Sequence, residues 1–173
     1  MSNSKKEVIP RKTVVFSGDM DYEPVKALID EIESYAAVDL HFSSRGGYVS
    51  YGKILSACIN KHEDIVLYPF DSIGSSAADL VFVDCQCPVI ITEIMDFVTF
   101  HGQDRELYDN RTSYYDSKAF RTIDRKVNKK SVKNYGFMTE EQISDYLGGK
   151  DIIIYQTDFK VFRGFKDNIK VKL

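Results

Sequence analysis

Short β-branched runs alternate with stretches of helical period from Thr13 onward, and this alternation confines the chain to βαβ units on a largely parallel sheet. Residues 13–17 read as a strand. Pro24 then falls in the first turn of a helix whose apolar stripe is Val25, Leu28, Ile29 and Ile32. Residues 38–42 read as a second strand running into a serine and glycine turn, and residues 51–61 as a helix with Ile54, Leu55, Cys58 and Ile59 inward. A third strand, 65–68, leads to Pro69. The turn 73–75 opens a short apolar helix through Val83, and strands follow around 89–92 and 97–100. Residues 113–133 are helical in character but highly charged, Thr139 is a plausible N-cap of a further helix, and residues 152–155 form a last strand before a polar tail.

Length and composition fit one domain: 173 residues with 43% hydrophobic content bury a single substantial core. The expected division is a flexible segment 1–12, a folded unit 13–157 and a polar tail 158–173. A net charge of -3 gives no basic footprint for nucleic acid, and the basic stretch from 160 to 172 reads as solvated surface. Three cysteines, Cys58, Cys85 and Cys87, cannot all pair within one chain, and Cys85-Gln86-Cys87 lacks a second ligand pair. They read as inert thiols in a reducing compartment, with no metal and no cofactor expected. The first twelve residues lack the apolar core of a signal peptide and no apolar run is long enough for a membrane, so the expected location is a cytoplasm.

Three spaced segments carry chemistry: Ser44-Arg45-Gly46-Gly47, Ile73-Gly74-Ser75-Ser76-Ala77-Ala78 and Phe97-Val98-Thr99-Phe100-His101. Hydrolysis of an unactivated amide needs a serine hydroxyl with a base in reach, and N–H donors ready for the developing oxyanion. Glycines at 46 and 47 permit backbone conformations that aim N–H groups at a ligand. Ser75 and Ser76 open a helix, where unpaired N–H groups favour negative charge. His101 ends a strand, from which its ring projects at the sheet edge.

At these residues the sequence resembles the proteolytic subunit of the Clp protease, a serine peptidase of the ClpP/crotonase fold. The resemblance runs from about Val14 to Asp151: Phe16-Ser17-Gly18-Asp19 resembles the family's first strand and turn, and Ser43 to Gly47 its Asn-Ser-Pro-Gly-Gly. It implies an α/β ClpP/crotonase-like fold and a serine-type endopeptidase. Ser76, 29 positions after Gly47 and 25 before His101, falls on the family's nucleophile and His101 on its base, with Ser75 the alternative nucleophile under a one-residue slip. Gly47 and Ala77 fall on the oxyanion donors. The family's third position, two residues before its Phe-Leu/Met-Ser/Thr segment, falls on Tyr135 beside Asn134 and so carries no carboxylate; Asp116 and Asp124 are carboxylates without a spacing argument. The resemblance further implies a polypeptide substrate held by backbone pairing after Gly47, a homo-oligomeric ring and, often, an ATP-driven AAA+ unfoldase.

Other residues have plainer readings. His41 and His62 read as structural or surface groups, Asp79 as a structural or interface group, and tyrosines such as Tyr48, Tyr51, Tyr114 and Tyr115 as oligomer contacts. The missing carboxylate gives the peptidase a rival from another class, a catalytically impaired homologue serving as a structural or regulatory subunit. Acyl-CoA chemistry, which also uses paired N–H donors, is opposed by the serine and histidine.

Overall fold

The computed structural model describes residues 10–101 and 135–173. Its scaffold is a seven-stranded mixed sheet in the order β1-β2-β3-β4-β7, with β5 pairing β3 and β6 pairing β5. Strands β1 (Lys12–Ser17), β2 (Val38–Ser44), β3 (Ile65–Gly74), β4 (Val89–Thr92), β5 (Met95–Phe100) and β7 (Ile169–Lys172) pair in parallel, and β6 (Ile152–Tyr155) runs antiparallel to β5. Helix α1 (Tyr22–Glu33) buries Val25, Leu28 and Ile32, as its stripe predicts. Helix α2 (Val49–Lys61) buries Leu55 and Ile59, while Ile54, expected inward, is exposed. Helix α4 (Glu140–Leu147) starts in a reciprocal capping box: Gln142 N–H donates to Thr139 Oγ1 at 3.2 Å, and Thr139 N–H to Gln142 Oε1 at 2.9 Å.

Strand β3 continues through Pro69 to Gly74, six residues beyond the predicted end at Tyr68. On one side of β3, Leu67 N–H donates to Pro88 O and Asp71 N–H to Ile94 O. Pro69 lies between them, where the neighbour changes from β4 to β5, so its missing N–H leaves no ladder bond unmade. The change of partner also explains why β3 reaches far enough to deliver residues 74–76 to the same edge as the end of β5.

Contacts tie residues 11–12 and the expected tail 158–173 into the fold, while residues 1–9 of the expected flexible segment lie outside the described residues. Arg11 donates to Asp39 Oδ1 at 2.7 Å and to Val38 O at 2.6 Å and pairs with Asp64, while Lys12 already belongs to β1. At the other end, 158–173 is integral to the fold. A 3-10 helix (Gln156–Phe162) buries Phe159 and Phe162 completely, Phe162 stacks on Phe82 at 4.4 Å, and β7 completes the sheet beside β4. The alternating lysines hid this strand, since only Ile169 and Val171 turn toward the core. Phe162→Ala is expected to cost about 3–5 kcal/mol in urea unfolding, the range for deleting a buried aromatic ring; a loss below about 1 kcal/mol would return this segment to the status of a tail. No helix among the described residues is long and apolar enough to cross a membrane.

Candidate active site

Two turns pack edge to edge at the carboxyl ends of β2 and β3. Gly46 and Gly47 have φ of +113° and +145°, a region that side-chain-bearing residues rarely enter. Space reinforces the requirement: a Cβ on Gly46 would lie 2.7 Å from Ser75 Cβ, and one on Gly47 would lie 2.7–2.9 Å from the Met20 backbone. Met20 N–H donates to Gly46 O and Tyr48 N–H to Met20 O, which lace the glycine turn to the end of β1. Ser44 Oγ accepts the Gly46 N–H at 3.1 Å, while the Gly47 N–H carries no backbone or side-chain bond among the described residues.

The second turn separates the two serines. Ser75 has φ +53° and ψ -132°, a strained conformation for a residue with a Cβ, and it ends β3 where α3 (Ser76–Ala78) begins. A strained residue on a sharp strand-to-helix turn is how an exposed nucleophile is presented in other hydrolytic folds. Ser75 N–H is fixed by Thr99 O at 2.8 Å, its side chain is half-buried, and its hydroxyl makes no hydrogen bond among the described residues. Ser76 is 7% exposed and donates its hydroxyl to Gly47 O at 3.0 Å. Ser76 and Ala77 N–H groups, at the open start of the helix, have no backbone acceptor among the described residues. The helical segment widens beyond Ala78 into a π-helical stretch, Asp79–Asp84, closed by Cys85 N–H on Leu80 O at 2.9 Å, five residues back.

His101 follows β5 directly, two residues past the Thr99 that anchors Ser75. Its Nδ1 is 2.8 Å from Asp151 Oδ1, with both side chains about half exposed. Neither serine is hydrogen-bonded to His101 in this structure. The carboxylate comes from β6: antiparallel pairing of Phe100 with Ile152 sets the residue before β6 opposite the residue after β5. The expected third position is occupied differently. Tyr135 is buried and its hydroxyl donates to Asp79, one turn along from Ser76; Asn134, Asp116, Asp124, Tyr114 and Tyr115 lie outside the described residues, as does the 113–133 segment. Asp151 was missed because it follows Gly148-Gly149-Lys150 without a motif, and only the β5–β6 register reveals it.

His41 stacks on Tyr68 at 5.0 Å, and His62 caps α2 while bonding Tyr35 O at 2.8 Å, as their structural reading predicts. Asp79 is likewise structural. Burial pushes its carboxyl above the ordinary carboxylate range, opposed by the Tyr135 hydrogen bond, with Asp84 pushing up and Lys53 pulling down. Burial and the adjoining Asp79 push the Tyr135 phenol far up, so it stays a donor. A carboxyl with a raised value in the folded state favours folding less as pH rises from about 4 through that value. Asp79→Asn, whose Oδ1 can still accept from Tyr135, is therefore expected to melt above the parent at pH 7. The gain should shrink as pH falls toward 4; a gain independent of pH would overturn the assignment.

No family model matches this sequence, and no curated protein does. Solved structures do match the fold. A ClpP1 mutant from Listeria monocytogenes superposes with a TM-score of 0.61 at 14% identity, covering 92% of this chain and 91% of that one. The ClpP protease catalytic domain from Plasmodium falciparum gives 0.60 at 14%, covering 93% and 86%. The fold is ClpP-like. In the ClpP-like fold of this chain, the paired glycines, the serine turn and the histidine all meet at one edge of the sheet.

Proposed function

We propose that this chain is a serine-type peptidase in which Ser75 attacks the scissile carbonyl. His101 takes the hydroxyl proton and returns it to the leaving amine, and Asp151 holds the imidazole and balances its charge. The N–H groups of Gly47 and of Ser76, the residue after the nucleophile, receive the oxyanion. The observation that carries the reading is the His101–Asp151 pair at the end of β5, whose Thr99 anchors a strained Ser75 with an unengaged hydroxyl. Sequence spacing favours Ser76 instead, with Ala77 as donor. The conformation and exposure of Ser75, and the engagement of Ser76 with Gly47 O, favour a one-residue slip.

The substrate in this reading is an extended polypeptide paired along the segment after Gly47, where Tyr48 and Val49 present exposed apolar surface. Homo-oligomeric ring assembly and service to an AAA+ unfoldase belong to the same proposal, on the strength of the ClpP-like fold. A fluorophosphonate probe tests the chemistry: covalent labelling of one serine in the assembled protein is expected. The lack of a hydrogen bond from either serine to His101 favours the second reading, a non-catalytic homologue with an assembly role. Absence of labelling in every assembled form decides for it. A monomeric mass in solution at working concentration would remove the ring.

A further inference from the structure

We propose that Cys85 and Cys87 form a thiol–disulfide site that exchanges with small disulfides of the glutathione class. The two residues close the helical segment that begins at Ser76, and a cluster of donors folds them together. Asn168 Nδ2 reaches both Cys85 O, at 3.2 Å, and Cys87 O, at 2.7 Å. Carbonyls two residues apart on an extended strand stand about 6.7 Å from one another, too far for one atom to reach both at those distances. The Cys-Gln-Cys stretch is therefore drawn in, and Lys166 Nζ fastens it further, at 2.7 Å from Cys85 O and 3.1 Å from Val83 O.

The shared Asn168 donor draws the two residues together, and they differ in access: Cys85 is fully buried and Cys87 half-buried. That division suits an attacking and a resolving cysteine. The Cys85 thiol pulls Cys87 below the ordinary thiol range, helped by a backbone N–H and Lys166 and opposed by burial. Cys58, also half-buried, is pushed the other way by burial and Glu33, so it serves as an internal control.

In the first step Cys87 gives up its proton, and its thiolate attacks one sulfur of the small disulfide. That S–S bond breaks, a Cys87 mixed disulfide forms, and the released thiolate takes a proton. Cys85 then loses its proton and attacks the Cys87 sulfur, forming the Cys85–Cys87 bond and expelling the second thiolate, which is protonated in turn. Two protein thiols are oxidised, and one small disulfide is reduced to two thiols.

The test is incubation of the full chain with glutathione disulfide, followed by intact mass and peptide mapping. The expected product has lost two hydrogens, with the bond mapped to Cys85–Cys87 and Cys58 still alkylatable. Cys87→Ser should stay unmodified at Cys85, and Cys85→Ser should stop with one glutathione on Cys87, formed about tenfold or more faster than on Cys58. Because Cys85 lies in the core, the parent protein's mapped product decides the matter even if Cys85→Ser fails to fold. A parent that remains a stable Cys87 mixed disulfide, reacts first at Cys58 or does not react overturns the proposal.

Discussion

Ser75→Ala is expected to abolish fluorophosphonate labelling and to lower peptide hydrolysis by at least about 10³-fold, the scale of losing a nucleophile from such a site. The expectation rests on three independent observations: the left-handed φ at Ser75, its unengaged hydroxyl, and its position against Gly46. Ser76→Ala should keep the label. Its cost is instead about 1 kcal/mol of stability, from the lost hydrogen bond to Gly47 O. The reversed pattern, label lost in Ser76→Ala and retained in Ser75→Ala with both variants folded, would return the nucleophile to Ser76. Loss in neither variant excludes both.

Asp151→Asn is expected to reduce kcat by about 10² to 10⁴-fold with little change in KM. The amide keeps the geometry but can present N–H to Nδ1, and it no longer balances the imidazolium. The half-exposed setting of the pair places the effect below that of a fully buried carboxylate, because solvent shares in stabilising the charge. Tyr135→Phe provides the contrast. Removing its hydroxyl leaves the largely buried Asp79 short of a donor and should cost about 1–3 kcal/mol of stability, while activity per folded molecule holds. A drop in kcat for Tyr135→Phe with an unchanged Asp151→Asn would restore the third role to Tyr135.

The legible parts of the fold are those governed by neighbours in sequence. The α1 stripe, the Thr139 box and the paired glycines each depend on residues within a few positions, so pattern and turn chemistry reveal them. Pro69 misleads because a proline ends a strand only where its N–H is needed, and here β3 changes partner at that point. The terminal strand misleads for a related reason: a lysine-rich run appears solvated until Val89–Thr92 supplies it with a ladder.

The candidate site divides along the same line. Sequence by itself determined the class of fold, the glycine turn and the short list of serines and histidine, because these follow from local backbone freedom and spacing. Tertiary structure decided which serine is strained and open, which carboxylate meets His101, and that Tyr135 serves Asp79. Those outcomes depend on a one-residue turn geometry and on a strand register joining residues 50 positions apart. Neither leaves a periodic or compositional trace, since the free energy that sets them comes from packing across the sheet.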